Sequence, residues 1–353
     1  MNKIKKITAI ALSAVMVFSF AACGKEKEEE QTTQEVVEEM QPAEPISATC
    51  NPLTGRNGYD ANMIGKRPVS IVVENSPAAR PQWGITTPDI IVEGEVEGGI
   101  TRMLWLYANY NDIPDEVGPV RSARPSYVKF STLFDSIFIH WGGSNNHAPN
   151  YTGGYETIEA LKVNDLDGMA GGDAFGRNKS KKGGSEHTGV VKGKNVVNAI
   201  TNKKYRMDIN NDKFTAFSFY DKATNVGNDV ANNVNIKFSS RTDTRKFTYN
   251  AENGTYNTND WKTNVSFNNL IVLMDKTNYI NTTDGKKTTY LNYELESGDG
   301  YLISNGTMTP IKWDAKSGKI KFTNSDGNEM KINVGDSYIA LASSNNGGSV
   351  NCN

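Results

Sequence analysis

Histidine and cysteine are both scarce in this chain of 353 residues, which contains three of each. No two cysteines form a Cys-x-x-Cys pair, which excludes zinc ribbons and thioredoxin-like redox sites. The histidines show neither His-x-x-x-His nor His-Glu-x-x-His spacing, so we predict no metal and no cofactor. A phosphate-binding loop ending in Gly-Lys-Ser/Thr and a Gly-x-Ser-x-Gly nucleophile turn are missing as well.

Positive and negative charges are nearly balanced, since the chain has 38 Lys and Arg and 40 Asp and Glu, and its formal net charge is −2. Nucleic-acid-binding domains carry a clearly basic surface, so we expect no nucleic acid partner. The only long apolar run covers residues 7–22. It is shorter than the ~20 residues that a membrane-spanning helix needs.

The apolar run has the layout of a secretory signal peptide. Three lysines stand among the first six residues, and the run ends in Ala21 and Ala22 just before Cys23. The sequence from Phe20 to Cys23 resembles the lipobox of bacterial lipoproteins. We therefore predict that residues 1–22 are a lipoprotein signal peptide and that Cys23 carries the lipid (diacylglycerol, with palmitate as a typical acyl chain). The alternative is an ordinary signal peptide beside which Cys23 has no role.

Residues 23–49 are rich in Glu and Gln and poor in apolar residues. Such a composition cannot bury enough surface to offset the entropy of ordering, so we predict a disordered acidic stalk. The two other cysteines, Cys50 and Cys352, stand at the two ends of the region after the stalk. Because chain termini often lie close together, a disulfide between them is one possibility in an oxidising space, and two unpaired thiols are the other.

The rest of the chain divides into two blocks of different character. Residues 50–204 mix strand and helix patterns, which predicts an α+β N-terminal domain. Residues 205–343 carry hairpin signals such as Asn253-Gly254 and Asn305-Gly306, which predict a β-rich C-terminal domain. Residues 344–353 are expected to form a polar tail. In the first block we predict strands over 68–74, 89–96, 100–107 and 136–141 and helices over 125–134, 155–163 and 195–203.

Several short motifs of the sequence are similar to those of the YerB-like lipoproteins. They are NPLTG at 51–55, RPV at 67–69, NSPAARPQ at 75–82, EGGITR at 97–102, GPVRSARP at 118–125, and GYLISNG with IKW at 300–306 and 311–313. The resemblance covers nearly all of the chain after the stalk. It implies an α+β N-terminal domain followed by a β-rich C-terminal domain, and it implies no particular reaction.

Four arginines lie in these motifs, which are rich in glycine and proline: Arg80, Arg102, Arg121 and Arg124. A helix predicted to begin at Pro125 would place the last two, with Ser122, at its N-terminus, where free N–H groups attract anions. Arginine adds a planar fork that fits carboxylate or phosphate. Two arrangements follow from these residues. One is an arginine-lined anion pocket, which is the binding hypothesis, and the other is that the arginines pair inside the domain with carboxylates nearby in sequence, namely Asp89, Glu93, Glu95 or Glu97.

Carboxylates and one histidine complete the candidate ligand-binding set. Glu93, Glu95 and Glu97 alternate along a predicted strand, so we expect them on one face. Two of them, Glu95 and Glu97, join the set because paired carboxylates carry the chemistry of glycosidases. His140 ends a predicted strand, where clefts of α/β sheets open, although a hydrogen-bonded histidine at the edge of the core is the simpler interpretation.

These patterns favour a non-enzymatic binding or scaffold protein on the extracytoplasmic face of a bacterial cell membrane. Its expected contacts are the lipid bilayer, through Cys23, and a cell-wall polymer or another envelope protein. The alternative is a cell-envelope hydrolase or transferase that uses the carboxylates together with the arginine-lined pocket.

Overall fold

The computed structural model describes residues 49–146, 148–181, 184–282 and 288–353. The predicted signal peptide, Cys23 and nearly all of the predicted stalk lie outside these residues, and so does His147. Within the described ranges, none of the helices has the length and apolar character needed to cross a bilayer.

Three α-helices and twenty strands are formed by the described residues. The helices are α1 (Pro125–Thr132), α2 (Gly154–Leu161) and α3 (Gly193–Asn202). The strands are β1 (Val69–Glu74), β2 (Ile90–Glu95), β3 (Thr101–Tyr107), β4 (Ile137–His140), β5 (Asp165–Asp167), β6 (Phe175–Arg177), β7 (Gly189–Val191), β8 (Asp229–Val230), β9 (Asn233–Lys237), β10 (Thr244–Asn250), β11 (Thr255–Thr258), β12 (Val265–Phe267), β13 (Asn269–Asp275), β14 (Thr277–Asn281), β15 (Thr289–Tyr293), β16 (Ser297–Ser304), β17 (Thr307–Asp314), β18 (Lys321–Thr323), β19 (Ser337–Ser343) and β20 (Ser349–Cys352).

An eleven-stranded sheet runs through both halves of the chain in the order β18-β17-β16-β13-β19-β2-β3-β1-β4-β5, with β8 paired to β17. Strand β19 pairs in parallel with both β13 and β2, and this pairing joins the C-terminal strands to the N-terminal ones. Strands β1, β4 and β5 are also mutually parallel. The predicted boundary at residues 204 and 205 is therefore crossed by a continuous sheet, and the division into two domains stays a sequence prediction.

Both faces of this sheet are buried. Along β1, Ile71 and Val73 belong to one apolar cluster and Val72 to the other, as the two-residue period of a strand requires. The first cluster continues into α3 and into a five-stranded sheet of order β12-β11-β10-β9-β20. The second continues into α1 and the β14–β15 hairpin. Strands covered on both faces read as continuous apolar runs, which is why VSIVV and IFI stand out in the sequence.

The predicted fold class is confirmed: a mixed α/β sheet with three helices is followed by largely antiparallel sheets. All three predicted helices form within two residues of their predicted starts, and the β16–β17 hairpin forms at Asn305-Gly306 as predicted. The predicted strands over 89–96 and 100–107 form as β2 and β3, which pair with each other. One expectation is corrected: the predicted polar tail contains β20, which pairs with β9 at the edge of the smaller sheet. Of the two alternatives left open for Cys50 and Cys352, the structure has the two free thiols, and the Cys352 thiol lies 3.5 Å from the sulfur of Met308.

Candidate functional site

The carboxyl ends of β1, β4 and β5 meet at one edge of the large sheet. In the parallel register Ile71 pairs with Ile139 and His140 pairs with Asp167, so the ends of these strands lie side by side. Open α/β sheets bind ligands just outside such carboxyl ends, because the connecting loops diverge there. The side chains that follow these strands are therefore the first candidates for a site.

The segment that carries the predicted anion pocket crosses this edge. The amide of Arg121 donates to the carbonyl of Val72 at 3.0 Å, and the amide of Trp141 donates to the carbonyl of Arg121 at 3.0 Å. The segment is thereby fixed between β1 and β4. Gly118 lies at its start with φ of 154°, and a Cβ there would come within 2.6 Å of the carbonyl oxygen of Gly189. Only glycine fits this close approach of two backbones.

Two of the four arginines bind an internal anion instead of an open pocket. Glu97 accepts from Arg102 Nη2 at 3.2 Å and from Arg124 Nε at 2.9 Å, and Arg124 Nη2 makes a second, shorter bond to it. Burial acts to raise the pKa of Glu97, but Arg102 and Arg124 outweigh it and lower that pKa to about 2. Arg124 is the N-cap residue of α1 but makes no side-chain capping bond. The alternative of internal pairing therefore describes Arg102 and Arg124.

Arg80 and Ser122 are also held by the protein itself. Arg80 donates to the carbonyls of Asn75 at 2.9 Å and Asp260 at 3.2 Å, so it ties the first half of the chain to the second. The Ser122 hydroxyl donates to the carbonyl of Trp141 at 3.2 Å. Both side chains stabilise loops near the sheet edge.

The three glutamates expected on one strand face separate in the structure, because β2 ends at Glu95 and Glu97 lies in the following 3₁₀ turn. Glu93 is fully buried and accepts from Arg245 Nη2 at 2.6 Å and from the hydroxyl of Tyr338 at 2.8 Å. Glu95 is buried as well. One of its carboxylate oxygens accepts from Tyr279 at 2.9 Å, and the other has no partner within the described residues.

Arg121 differs from the other three arginines. Its side chain is 25% exposed, and its Nη1 donates to the carbonyl of Glu186 at 3.1 Å. Its Nε atom is buried, lies 4.0 Å from Oε2 of Glu74 and has no hydrogen-bond acceptor among the described residues. The same Oε2 atom accepts from Nδ1 of His187 at 2.9 Å. One buried carboxylate thus faces two basic side chains, and Arg121 keeps most of its N–H groups free of described partners.

Two further cations lie around the 3₁₀ turn Ser185–His187. Arg177 donates to the carbonyl of Ser185 and lies over the ring of Trp141, 4.6 Å from its centroid. Lys181 donates to the carbonyl of Pro81 at 2.6 Å and lies over the ring of Trp83. Within the described ranges neither has a carboxylate within 4 Å. We name the set of Glu74, Arg121, Arg177, Lys181 and His187 the arginine site.

His140 lies at the same edge but is fully buried. Its Nδ1 lies 2.7 Å from the carbonyl oxygen of Gly142, and its Nε2 lies 3.0 Å from Oδ2 of Asp165. The hydrogen-bonded arrangement named as the simpler interpretation is the one observed, and the ring can act on a ligand only through Asp165. Among the described residues, no three His, Cys, Asp or Glu side chains are grouped as metal ligands would be.

Four members of the arginine site were not selected from the sequence: Glu74, Arg177, Lys181 and His187. Glu74 ends a parallel strand, so the rule applied to His140 would have pointed to it as well. Arg177 and Lys181 gave no such signal, because a lysine-rich loop is usually only solvated surface.

Comparison with known proteins agrees with this architecture. Residues 53–206 match the model of the "Protein of unknown function (DUF3048) N-terminal domain" and residues 234–339 match that of its C-terminal domain. The chain is 31% identical over 281 residues to "Putative lipoprotein YerB" of Bacillus subtilis (strain 168), covering 76% of this chain and 79% of that protein.

A solved structure shows the same fold. The crystal structure of YerB protein from Bacillus subtilis superposes with a TM-score of 0.67 at 24% identity, over 85% of this chain and 98% of the other. The two family models together match well over half of the sequence, and the curated relative is similar over most of its length. The chain therefore belongs to the DUF3048 family and carries both its N-terminal and its C-terminal domains.

Proposed function

We propose that this chain is a lipid-anchored extracytoplasmic binding protein, held to the membrane through Cys23, whose arginine site binds an anionic group of a cell-wall polymer. The anchor is supported by the signal-peptide layout before Cys23 and by the relative named as a lipoprotein. A single lipid chain holds a protein only marginally, whereas two or three acyl chains on one cysteine hold it firmly.

The observation that supports the anion site is that three cations lie near only one buried carboxylate, Glu74, which contacts Arg121 at 4.0 Å and is shared with His187. Each of Arg121, Arg177 and Lys181 donates to a main-chain carbonyl, and Arg177 and Lys181 also lie over the rings of Trp141 and Trp83. Carbonyls and rings orient a cation without neutralising it. An incoming carboxylate or phosphate would supply the missing charge, and the fork of Arg121 can bind it through two parallel hydrogen bonds.

The hydrolase alternative has less support in the geometry. A general acid must hold a proton at the working pH, whereas the pKa of Glu97 is lowered to about 2, despite its burial, by Arg102 and Arg124. Glu97 is therefore a carboxylate at neutral pH and is already bound to two arginines. Glu95 is buried, which keeps it from a polymer at the surface.

The anchor is tested by replacing Cys23 with Ser and fractionating cells. We expect the protein to move from the membrane to the soluble fraction and to lose labelling by palmitate. A Cys50→Ser variant is the matched control and should stay on the membrane. Unchanged membrane association of Cys23→Ser would contradict the anchor.

The binding site is tested by thermal shift of the mature chain, which begins at residue 23 and carries Cys23→Ser. Wall fragments, anionic polymers, nucleotides and divalent metals are compared as ligands. We expect anionic wall polymers to raise the melting temperature of the parent protein but not of an Arg121→Ala/Arg177→Ala variant. No shift with any of these ligands would contradict the proposal and direct the search to protein partners.

A further inference from the structure

A cleft that none of the arginine-site residues lines opens near the end of β5. It has a volume of about 380 Å³ and lies between β5, the loop 170–174 and helix α3. This volume is within the range of ~300–1,000 Å³ that is usual for small-molecule sites. We name it the Asp165 cleft.

The floor of the Asp165 cleft is apolar. Leu166 and Ala174 are almost fully buried there, and Ala199 and Phe175 are half-buried. The ring of Phe175 is held edge-on against Trp141, with the ring centroids 5.5 Å apart. A fixed aromatic ring beside small aliphatic groups suits the C–H face of a flat, partly apolar ligand.

The rim carries a stripe of amides. Asn195, Asn198 and Asn202 lie on α3 at spacings of three and four residues, so they share one face of the helix. Asn195 donates to the carbonyl of Asp173 at 2.7 Å, whereas the amides of Asn198 and Asn202 make no hydrogen bond to other described residues. Each free amide offers two donors and one acceptor to a ligand.

Asp165 also lines the cleft and supplies an oriented carboxylate. Its Oδ2 atom is held 3.0 Å from the Nε2 atom of the buried His140, while its side chain stays 27% exposed. Its Oδ1 atom has no partner among the described residues. The nearby Asp167 is different, because its two oxygens accept from Gly142, Met169 and Tyr155.

The charge of the lining residues limits which ligands the Asp165 cleft can bind. Three aspartates line it and one lysine, Lys203, so an anionic ligand would be repelled. A cationic ligand has no hydrogen-bond acceptors of its own. It would therefore leave the N–H donors of Asn198 and Asn202 without a partner. A sugar hydroxyl is both donor and acceptor, and a pyranose ring has a C–H face for the apolar floor. We infer that the Asp165 cleft binds a neutral saccharide. This inference is independent of the anion site, which uses different side chains.

The test uses the mature chain from residue 23 with Cys23→Ser and the probe N,N′-diacetylchitobiose, a neutral disaccharide. Saturation-transfer NMR detects binding, and a titration followed by tryptophan fluorescence gives the affinity, because Trp141 contacts Phe175 in the cleft. Asn198→Ala/Asn202→Ala is the test variant, since both side chains are exposed and their loss should leave the fold intact. Thr201→Ala is the control, since Thr201 is exposed on the same helix but does not line the cleft.

We expect saturation transfer to the probe with the parent protein and with Thr201→Ala. The double variant should bind about tenfold more weakly, because two hydrogen bonds are lost. Absence of transfer to the parent protein, or equal affinity of the double variant, would overturn the inference. Stronger binding of spermidine than of the disaccharide at the same variant-sensitive site would also overturn it and make the cleft a cation site. An Arg121→Ala variant should still bind the disaccharide, since Arg121 does not line the cleft, so failure of one site is distinguishable from failure of the other.

Discussion

The Nε atom of Arg121 lies 4.0 Å from Oε2 of Glu74, and His187 donates to that same oxygen at 2.9 Å. Glu74 is 4% exposed and is the last residue of β1, so its position is set by the sheet. Arg121 is oriented toward it by a segment hydrogen-bonded to β1 and β4. The fold thus holds an arginine at the sheet edge without neutralising it completely, which is the relationship on which the proposed anion site depends.

Arg121 and Arg102 should respond differently to truncation. Arg121→Ala removes a partly exposed side chain with one main-chain hydrogen bond and should cost less than about 1 kcal/mol of stability. Arg102 is 3% exposed and binds both Glu97 and the carbonyl of Ser122. Arg102→Ala should cost about 3–5 kcal/mol, because it leaves buried partners unpaired. Urea unfolding of the two variants checks this, and equal losses would show that Arg121 is structural too.

The contribution of Glu97 should depend on pH. Burial acts to raise its pKa from the ordinary 4.5, but Arg102 and Arg124 bring it to about 2 in the folded protein. A carboxyl group whose pKa is lowered on folding stabilises the protein above the unfolded pKa and loses that contribution as the pH falls. The stability difference between wild type and Glu97→Gln should therefore be constant at pH 6–8 and shrink between pH 4.5 and 2. A difference that grows on acidification would contradict this ion-pair account.

The two halves of the chain should unfold together. Strand β2 pairs with β19, and the buried Glu93 accepts from Arg245 Nη2 at 2.6 Å across the two halves. Glu93→Gln should lower the stability by about 3 kcal/mol, since the buried Arg245 would lose its closer carboxylate and keep only Asp260, at 3.3 Å. We expect one cooperative transition by both fluorescence and circular dichroism. Two separate transitions would show that the halves are independent folding units.

The two cysteines of the folded region should react as free thiols. In a Cys23→Ser background, iodoacetamide should add two alkyl groups in denaturant without any reductant. In the native protein Cys352 should react slowly at pH 8, because burial, with a contribution from Asp229, raises its pKa to about 11. Mass spectrometry counts the added groups. If alkylation needed prior reduction, a disulfide between Cys50 and Cys352 would be present after all.

Much of the fold could be predicted because its signals are local. The apolar run that became β1 and the Gly98-Gly99 turn between β2 and β3 are read directly from the sequence. The parallel pairing of β19 with β2 left no such signal, since it joins residues about 250 positions apart in sequence and depends on packing of the whole chain. Strand β20 was missed because Ser349–Cys352 is a polar edge strand without clear alternation.

The candidate site was only partly predictable for a similar reason. The four arginines were recognisable as a group, but the sequence does not show which of them would be neutralised by a carboxylate in the folded protein. Glu97 lies five residues from Arg102 and 27 from Arg124, and only the three-dimensional structure shows that it binds both. Arg121 remained available because the carboxylate nearest to it, Glu74, is shared with His187.

The most direct test of the anion site is a calorimetric titration of an anionic wall-polymer fragment into the mature chain and into its Arg121→Ala variant at low and moderate salt. The account predicts measurable binding by the parent protein, weakened by salt, and a loss of at least about tenfold in affinity on removal of the charged fork. A folded Arg121→Ala variant that binds the fragment as tightly as the parent protein would contradict it.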